Sequence, residues 1–129
     1  MTTTTLTDTN RALMERMYGA AIAGNFDEVL ACLHPDLVVN EPHFLPYGGT
    51  YRGIEAFAAI VPKVVELMDL TKMTVDRYIA QDDRVIGIIR IPDRRTGEDV
   101  LLAEESIIRD GKVLEITVFY NNAQSLVTV

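Results

Sequence analysis

The amino-acid sequence predicts a single α+β domain in which three N-terminal helices pack against an antiparallel β-sheet. Its 129 residues fit one domain of ordinary size. Apolar residues follow a helical period in the first half of the chain, and after Asp69 they follow the period of four successive strands. The turns between those strands are too short for crossover helices, which favours antiparallel pairing. We expect a disordered polar tail over residues 1–7 and the domain over residues 8–129.

Two helices are predicted before the first strand. From Asp8 onward, apolar residues at steps of three and four form one helix face, and Gly24 ends this helix. Asn25 is a suitable N-cap for a second, short helix. That helix ends where His34 is followed by Pro35, because the residue before a proline is disfavoured in the helical conformation.

A short strand and a loop lead to the third helix. Residues 36–41, with the sequence DLVVNE, are rich in β-branched side chains and are followed by Pro42, so they predict a strand. The loop after it reads HFLPYGGTY, in which the paired glycines indicate a turn. From Ile54 to Met68 the apolar residues again follow a helical period, and Pro62 predicts a kink or a lost hydrogen bond in this helix.

Four strands are predicted in the second half of the chain, over residues 71–81, 84–91, 99–109 and 112–120. Asp110 and Gly111 give the strongest hairpin signal. The last strand is apolar at both alternating sets of positions, whereas a sheet with one wet face alternates more cleanly. We therefore expect a homodimer through the sheet, with the helices covering its other face; the alternative is a monomer with an exposed apolar face.

Composition and charge exclude several classes of partner. Twelve Lys and Arg against 19 Asp and Glu give a net charge of -7, which disfavours binding to nucleic acid or anionic lipid. A membrane-spanning apolar run and a secretion signal are both missing from the sequence, so we expect a cytoplasmic protein with no membrane contact. Cys32 is expected in the core. His34 and His43 lack metal-ligand spacing, and phosphate-binding glycine motifs are missing, so we expect no metal or cofactor.

The order of elements, together with three sequence strings, resembles the nuclear transport factor two-like superfamily and its SnoaL-like and ketosteroid isomerase-like branch. The strings are AGNFDEVLACLHPDLVVNEP, YGGTYRGIEAF and RDGKVLEITVFYNN. The resemblance implies a cone in which a strongly curved sheet wraps three helices around a pocket. It also implies a small hydrophobic ligand. Relatives include isomerases, polyketide cyclases, limonene epoxide hydrolases and non-catalytic binding domains, so the fold alone does not assign a reaction.

The resemblance points to two carboxyl groups as catalytic. Ketosteroid isomerases carry an Asp before a Pro at the end of the first strand, and that Asp moves the substrate proton; Glu41 before Pro42 resembles it. A protonated acid on a later strand helps to hold the oxyanion there, and Glu104 lies near the matching position, with Glu105 as the alternative. Glu104 is favoured because it shares the alternation of the apolar Leu102.

Two positions depart from the family pattern. The family's oxyanion Tyr on the first helix is replaced by Met17, and Tyr18 is one residue away from that position. SnoaL-like cyclases place an acid–base Asp after the final aromatic pair, where this chain has Asn121. An amide cannot carry a proton between groups, so that activity does not transfer directly.

An apolar cavity would desolvate these carboxyl groups and raise the pKa of each. Glu41 could then act as a base beside a carbonyl while a protonated Glu104 donates a hydrogen bond, the division of labour described for ketosteroid isomerase. At the mouth of the pocket, His43 or Tyr47 could add a donor to the oxyanion or orient the ligand. The predicted ligand-binding residues are Met17, Tyr18, His43, Tyr47, Phe57, Ile108, Phe119 and Asn121.

The sequence therefore predicts binding of a small hydrophobic carbonyl-containing molecule, with isomerisation, cyclisation or enolisation through Glu41 and without a cofactor. One alternative is a binding module that performs no chemistry. Another is epoxide hydrolysis, for which Arg90 and Asp76 supply the available residues. The structural alternatives are a solvated strand-end carboxylate at Glu41 and a surface ion pair of Arg90 with Glu104 or its neighbour.

Overall fold

The computed structural model describes residues 5–127, in which helices cover one face of a curved, six-stranded, unclosed sheet. The predicted α+β fold is confirmed. In chain order the elements are α1 (Leu6–Ile22), α2 (Phe26–Ala31), β1 (Leu33–Glu41), β2 (Gly49–Arg52), α3 (Ile54–Leu67), a single 3-10 turn (Leu70–Lys72), β3 (Thr74–Gln81), β4 (Arg84–Pro92), β5 (Asp99–Arg109), β6 (Lys112–Tyr120) and α4 (Gln124–Val127).

The strands lie in the order β2-β1-β6-β5-β4-β3. Neighbouring strands are antiparallel, as predicted, with the exception of β1 and β6, which are parallel. A parallel pair needs a long connection, and the chain between β1 and β6 supplies one because it contains α3 and four other strands. This pairing brings the end of β1, and thus Glu41, beside the end of β6.

Helix α1 begins earlier than the sequence predicted. Thr5 is its N-cap: its hydroxyl accepts a hydrogen bond from the Asp8 backbone N–H at 3.1 Å, and the Asp8 side chain accepts from the Thr5 N–H. The predicted disordered tail over residues 1–7 is therefore wrong for residues 5–7, and residues 1–4 lie outside the described residues. The capping box formed by Thr5 and Asp8 was not predicted because Thr5 is the last of four consecutive threonines.

Strand β2 was not predicted. Residues 49–52 pair antiparallel with the end of β1, although the sequence suggested a loop there. The strand is only four residues long and starts at Gly49, which has a positive φ of 122°. Such a segment is too short for an alternating pattern to appear. Its effect is to hold the loop between β1 and β2 against the sheet.

The hydrophobic core lies between the inner face of the sheet and the helices. Met14 of α1 packs there with side chains such as Leu37, Ile89 and Val113, and Cys32 is buried as expected. Helix α3 differs from the rest of the core. Within Ile54–Leu67, all of which is described, every side chain keeps some exposure despite an apolar sequence. Its apolar face borders a cavity instead of close-packed side chains.

Candidate functional site

A cavity of about 330 Å³ lies between α1, α3 and the inner face of the sheet. Most of its wall is apolar, with Phe57 and Ile60 from α3 and Leu102 and Ile116 from the sheet. Polar groups enter this wall at few positions. A concave apolar site with a small number of placed polar groups is typical of ligand binding.

Strand register places Glu41 and Glu104 on the same inner face. Asn40 pairs with Thr117 across β1 and β6, so the next residue, Glu41, lies beside Val118. Val118 pairs in turn with Glu104 across β6 and β5. Two strand spacings separate the two Cα atoms by about 10 Å. Both side chains line the cavity.

The carboxyl group of Glu41 is buried in this wall, and one of its oxygen atoms, Oε2, lacks a hydrogen-bond partner among the described residues. Burial raises the pKa of Glu41 from 4.5 to about 8, and the nearby charge of Glu104 adds to the shift. Near neutral pH this carboxyl group can therefore both accept and release a proton.

Glu104 is buried more deeply and has a fixed partner. The Tyr18 hydroxyl donates a hydrogen bond to its Oε1 at 2.8 Å. Burial raises the pKa of Glu104, and the hydrogen bond from Tyr18 opposes that rise. Gly87 makes the contact possible: it pairs with Glu104 across β4 and β5, and a Cβ at Gly87 would lie 3.3 Å from the ring and hydroxyl of Tyr18. The Tyr18 ring also contacts Tyr78, with 6.1 Å between centroids.

A tyrosine that the sequence analysis missed completes the polar part of the wall. Tyr120 lines the cavity, and its hydroxyl lies 2.7 Å from that of Tyr47. Tyr47 is buried behind Tyr120 and does not itself line the cavity. The Tyr51 hydroxyl donates to the backbone oxygens of Tyr47 and Gly48, at 2.9 and 3.1 Å, and so fixes the loop. The sequence offered one indication that Tyr120 faces the cavity: it belongs to the same alternating set of β6 positions as Val118.

The structure brings together five of the predicted site residues: Met17, Tyr18, Glu41, Phe57 and Glu104 all line the cavity. The other five, which include the Tyr47 already described, do not line it. His43 is exposed because the chain turns outward after Pro42. Ile108 is buried near the β5–β6 hairpin, away from the cavity lining.

Phe119 and Asn121 were placed in the pocket by the prediction and lie on the other side of the sheet. Phe119 is 57% exposed, since it alternates with the inward-facing Val118 and Tyr120. Asn121 is exposed just after β6 and borders a shallow outer depression beside Phe119. The Phe119 assignment is wrong because both alternating sets of β6 are apolar and the wrong set was chosen. The Asn121 assignment came from the family resemblance, and the strand ends before that residue.

The outer face of the sheet holds two ion pairs. Glu105 lies there, 3.6 Å from Arg84, so Glu104 and not Glu105 faces the cavity. Arg90 pairs with Asp76 at 2.8 Å, not with either glutamate as the surface alternative proposed. The residues available for epoxide hydrolysis therefore form a partly exposed ion pair that does not line the cavity.

Two searches of the described part of the chain give negative findings. Over residues 5–127, His, Cys, Asp and Glu side chains do not gather in threes or more as a metal ion would need. Among the same residues, each helix is too short or too polar to cross a membrane.

Comparison with known proteins identifies similar sequences and folds. The model of the SnoaL-like domain family matches residues 14–116. No curated protein matches the chain at a significant level. Bal32a, from a soil-derived mobile gene cassette, is 20% identical, with 93% of this chain and 95% of that chain covered and a TM-score of 0.80.

Two further solved structures share the fold. An NTF2-like protein of unknown function from Burkholderia pseudomallei is 20% identical over 94% of this chain and 98% of its own, with a TM-score of 0.78. A candidate ketosteroid isomerase from Kribbella flavida is 17% identical over 94% of this chain and 84% of its own, with a TM-score of 0.74. At these identities the likeness establishes the fold alone.

Proposed function

This chain belongs to the SnoaL-like domain family, and we propose that it binds a small hydrophobic carbonyl compound and removes a proton beside the carbonyl through Glu41. The observation that carries this proposal is the buried Oε2 atom of Glu41, which borders an apolar cavity and has no hydrogen-bond partner among the described residues. A buried polar atom without a protein partner is unusual and points to a partner supplied by a ligand.

The proposed reaction is enolisation. The carboxylate of Glu41 takes a proton from the carbon next to the carbonyl. The electron pair of that C–H bond becomes the new C=C bond, and the π pair of the carbonyl moves to oxygen. If the enolate is conjugated with a further double bond, return of the proton to the far carbon of that system gives an isomer. Return to the same carbon re-forms the carbonyl and leaves the compound unchanged.

Glu104 is suited to hold the ligand oxygen. Its Oε1 atom accepts the hydrogen bond from Tyr18, so a proton on Oε2 can be donated to the developing oxyanion. The raised pKa of Glu104 favours this protonated form. One proton and one charge shared between Glu41 and Glu104 give the base and the donor that enolisation needs.

Deuterium exchange tests the proposal without knowledge of the natural substrate. β-Tetralone is a two-ring ketone with acidic protons beside its carbonyl, and NMR in deuterium oxide follows their exchange. We expect the wild-type protein to accelerate exchange above the buffer rate, increasingly as pH approaches the Glu41 pKa of about 8. The Glu41→Gln variant should lose about a hundredfold or more of this rate, as expected for loss of a general base.

Glu105→Gln is the matched control, because Glu105 is the same residue type on the outer face. It should exchange β-tetralone at the wild-type rate. Equal rates for Glu41→Gln and wild type would remove Glu41 from the proposal. Binding of the ketone with no exchange above buffer would instead favour the non-catalytic binding module.

We also infer a homodimer through the outer face of the sheet. Phe119 and Ile79 are 57% and 52% exposed on that face, and the shallow depression beside Phe119 is walled by Ile88 and Leu101. Large exposed apolar side chains in one patch are uncommon on monomers. Sedimentation equilibrium at micromolar concentration should give a dimer, and Phe119→Lys should give a monomer. A wild-type monomer would refute this inference.

A further inference from the structure

The hydroxyl groups of Tyr47 and Tyr120 form a hydrogen-bonded pair in which either oxygen can be the donor. Tyr47 is 2% exposed, and among residues 5–127 its hydroxyl has one hydrogen-bond partner, the hydroxyl of Tyr120 at 2.7 Å. A buried O–H that donates to nothing is costly, and of the two residues Tyr120 lines the cavity. Donation from Tyr47 to the Tyr120 oxygen is therefore the arrangement that lets both hydroxyl groups donate when a ligand is bound. The proton of Tyr120 is then free to point elsewhere.

The cavity is where that proton can be used. Tyr120 lines the cavity, and among the described residues its hydroxyl hydrogen-bonds to Tyr47 alone. Since the oxygen of Tyr120 already accepts from Tyr47, its own O–H is a donor available to a bound molecule. A donor that itself accepts a hydrogen bond is strengthened by polarisation.

Sheet geometry places Tyr120 close to both carboxyl groups. Glu104 pairs with Val118, so Glu104 and Tyr120 are diagonal neighbours on the inner face, about 7–8 Å apart. A ligand oxygen lying between them can reach both. Glu41, on β1, lies beside Val118 at the edge of β6 opposite to β5. Val118 and Tyr120 are two residues apart on β6.

We propose that Tyr120 donates a second hydrogen bond to the carbonyl oxygen of the ligand, beside Glu104, and that Tyr47 is a positioning residue that orients the Tyr120 hydroxyl. The inference rests on the proposed function for the chemistry of the ligand. It assigns the ligand-facing role to Tyr120, where the sequence suggested Tyr47 or His43. Burial raises the pKa of Tyr120, so its hydroxyl remains a donor as charge develops on the ligand.

Binding of two matched probes tests this assignment. β-Naphthol resembles the enol of β-tetralone, whereas naphthalene has the same ring system without the oxygen. We expect wild-type protein to bind β-naphthol more tightly than naphthalene. Tyr120→Phe should weaken β-naphthol binding about tenfold, the typical net worth of one hydrogen bond, and leave the naphthalene dissociation constant within about twofold.

Tyr47→Phe separates positioning from simple structural support. It should weaken β-naphthol about threefold and leave naphthalene unchanged, since only the direction of the Tyr120 hydroxyl is lost. General damage to the cavity would weaken both probes equally. Tyr78→Phe, which changes a tyrosine outside the cavity lining, is the control and should leave the ratio of the two affinities unchanged.

The inference is overturned if wild-type protein fails to bind β-naphthol better than naphthalene, or if Tyr120→Phe leaves that preference intact. Failure of the proposed function looks different. A preference for β-naphthol that depends on Tyr120, in a protein that does not exchange β-tetralone protons, would sustain the role of Tyr120 and refute catalysis. Exchange that depends on Glu41 together with an unchanged preference in Tyr120→Phe would refute only the role of Tyr120.

Discussion

Glu104 and Glu105 are neighbours on β5, and their side chains lie on opposite faces of the sheet. Glu104 faces the cavity, and its described hydrogen-bond partner is the neutral hydroxyl of Tyr18. Glu105 faces outward and lies 3.6 Å from the guanidinium of Arg84, with both side chains partly exposed. One step along the strand therefore separates a desolvated carboxyl group from an ordinary surface ion pair.

The contrast extends to the two faces as wholes. On the inner face, Glu41 and Glu104 share an apolar wall, where burial raises the pKa of both and the charge of Glu104 raises that of Glu41 further. On the outer face, Arg84 and Arg90 each have an acidic partner. The difference teaches that strand register, not residue type, decides which carboxyl groups of this sheet can exchange protons near neutral pH.

The largest expected effect comes from Glu41→Gln and is a change in the pH dependence of stability. The pKa of Glu41 is raised in the folded protein, so the unfolded state loses this proton near pH 4.5 and the folded state near pH 8. Stability therefore falls as pH rises through this window, by up to about 5 kcal/mol. Glutamine cannot ionise, so urea unfolding of the variant should lack this fall and show higher stability at pH 8.

Glu105→Gln provides the comparison from the outer face. Its unfolding free energy should follow the wild-type pH dependence within about 0.5 kcal/mol. The pKa of Glu104 is also raised, so this residue too makes the unfolding free energy fall as pH rises. That contribution remains in both Glu41→Gln and Glu105→Gln. Parallel curves for wild type and Glu41→Gln between pH 5 and 8 would contradict the burial of Glu41.

Gly87→Val should have an intermediate effect on stability. The new side chain occupies the space of the Tyr18 ring, which lies over Gly87, and displaces its hydroxyl from Glu104. Overpacking of this kind costs about 1–3 kcal/mol. When both variants are made in the Phe119→Lys background, Ala103→Val places the same branched side chain on the outer face of the neighbouring strand and should change stability by about 0.5 kcal/mol or less. Equal losses in urea unfolding for the two variants would show that the inner face is no more tightly packed than the outer.

Much of the fold followed from local patterns. Periodicity predicted α3, and it predicted β5 and β6 to the residue, because each carries a long signal or a clear turn. The second helix was predicted to end at His34, but α2 ends at Ala31 and β1 already begins at Leu33. The capping side chain of Asn25 accepts from Glu28, as expected for a helix start. The parallel pairing of β1 with β6 joins residues far apart in the sequence, and nothing in the local pattern indicates its direction.

The site was predicted less completely. Alternation along β5 was enough to choose Glu104 over Glu105, since Glu104 shares its set of positions with Leu102 and Ile108. The strand β6 is apolar on both sets, so the sequence favoured Phe119 where the structure uses Tyr120. Tyr18 departs from the family position by one residue. It still reaches Glu104 because Gly87, on the neighbouring strand β4, leaves room for its ring. Such compensation is visible only in three dimensions.

The smallest expected effect belongs to Arg84→Gln, which removes the partner of Glu105. In the Phe119→Lys background, where the dimer is removed, both side chains keep contact with water. The free energy of unfolding in urea should then change by about 0.5 kcal/mol or less, and added salt should shrink even that difference. Arg52→Gln, on the edge strand β2 and partly exposed, is the matched control. Should the loss instead exceed about 2 kcal/mol, the pair must be shielded from water by protein, because removing one partner of a covered pair leaves a buried charge. That result would erase the contrast between the two faces of a single chain.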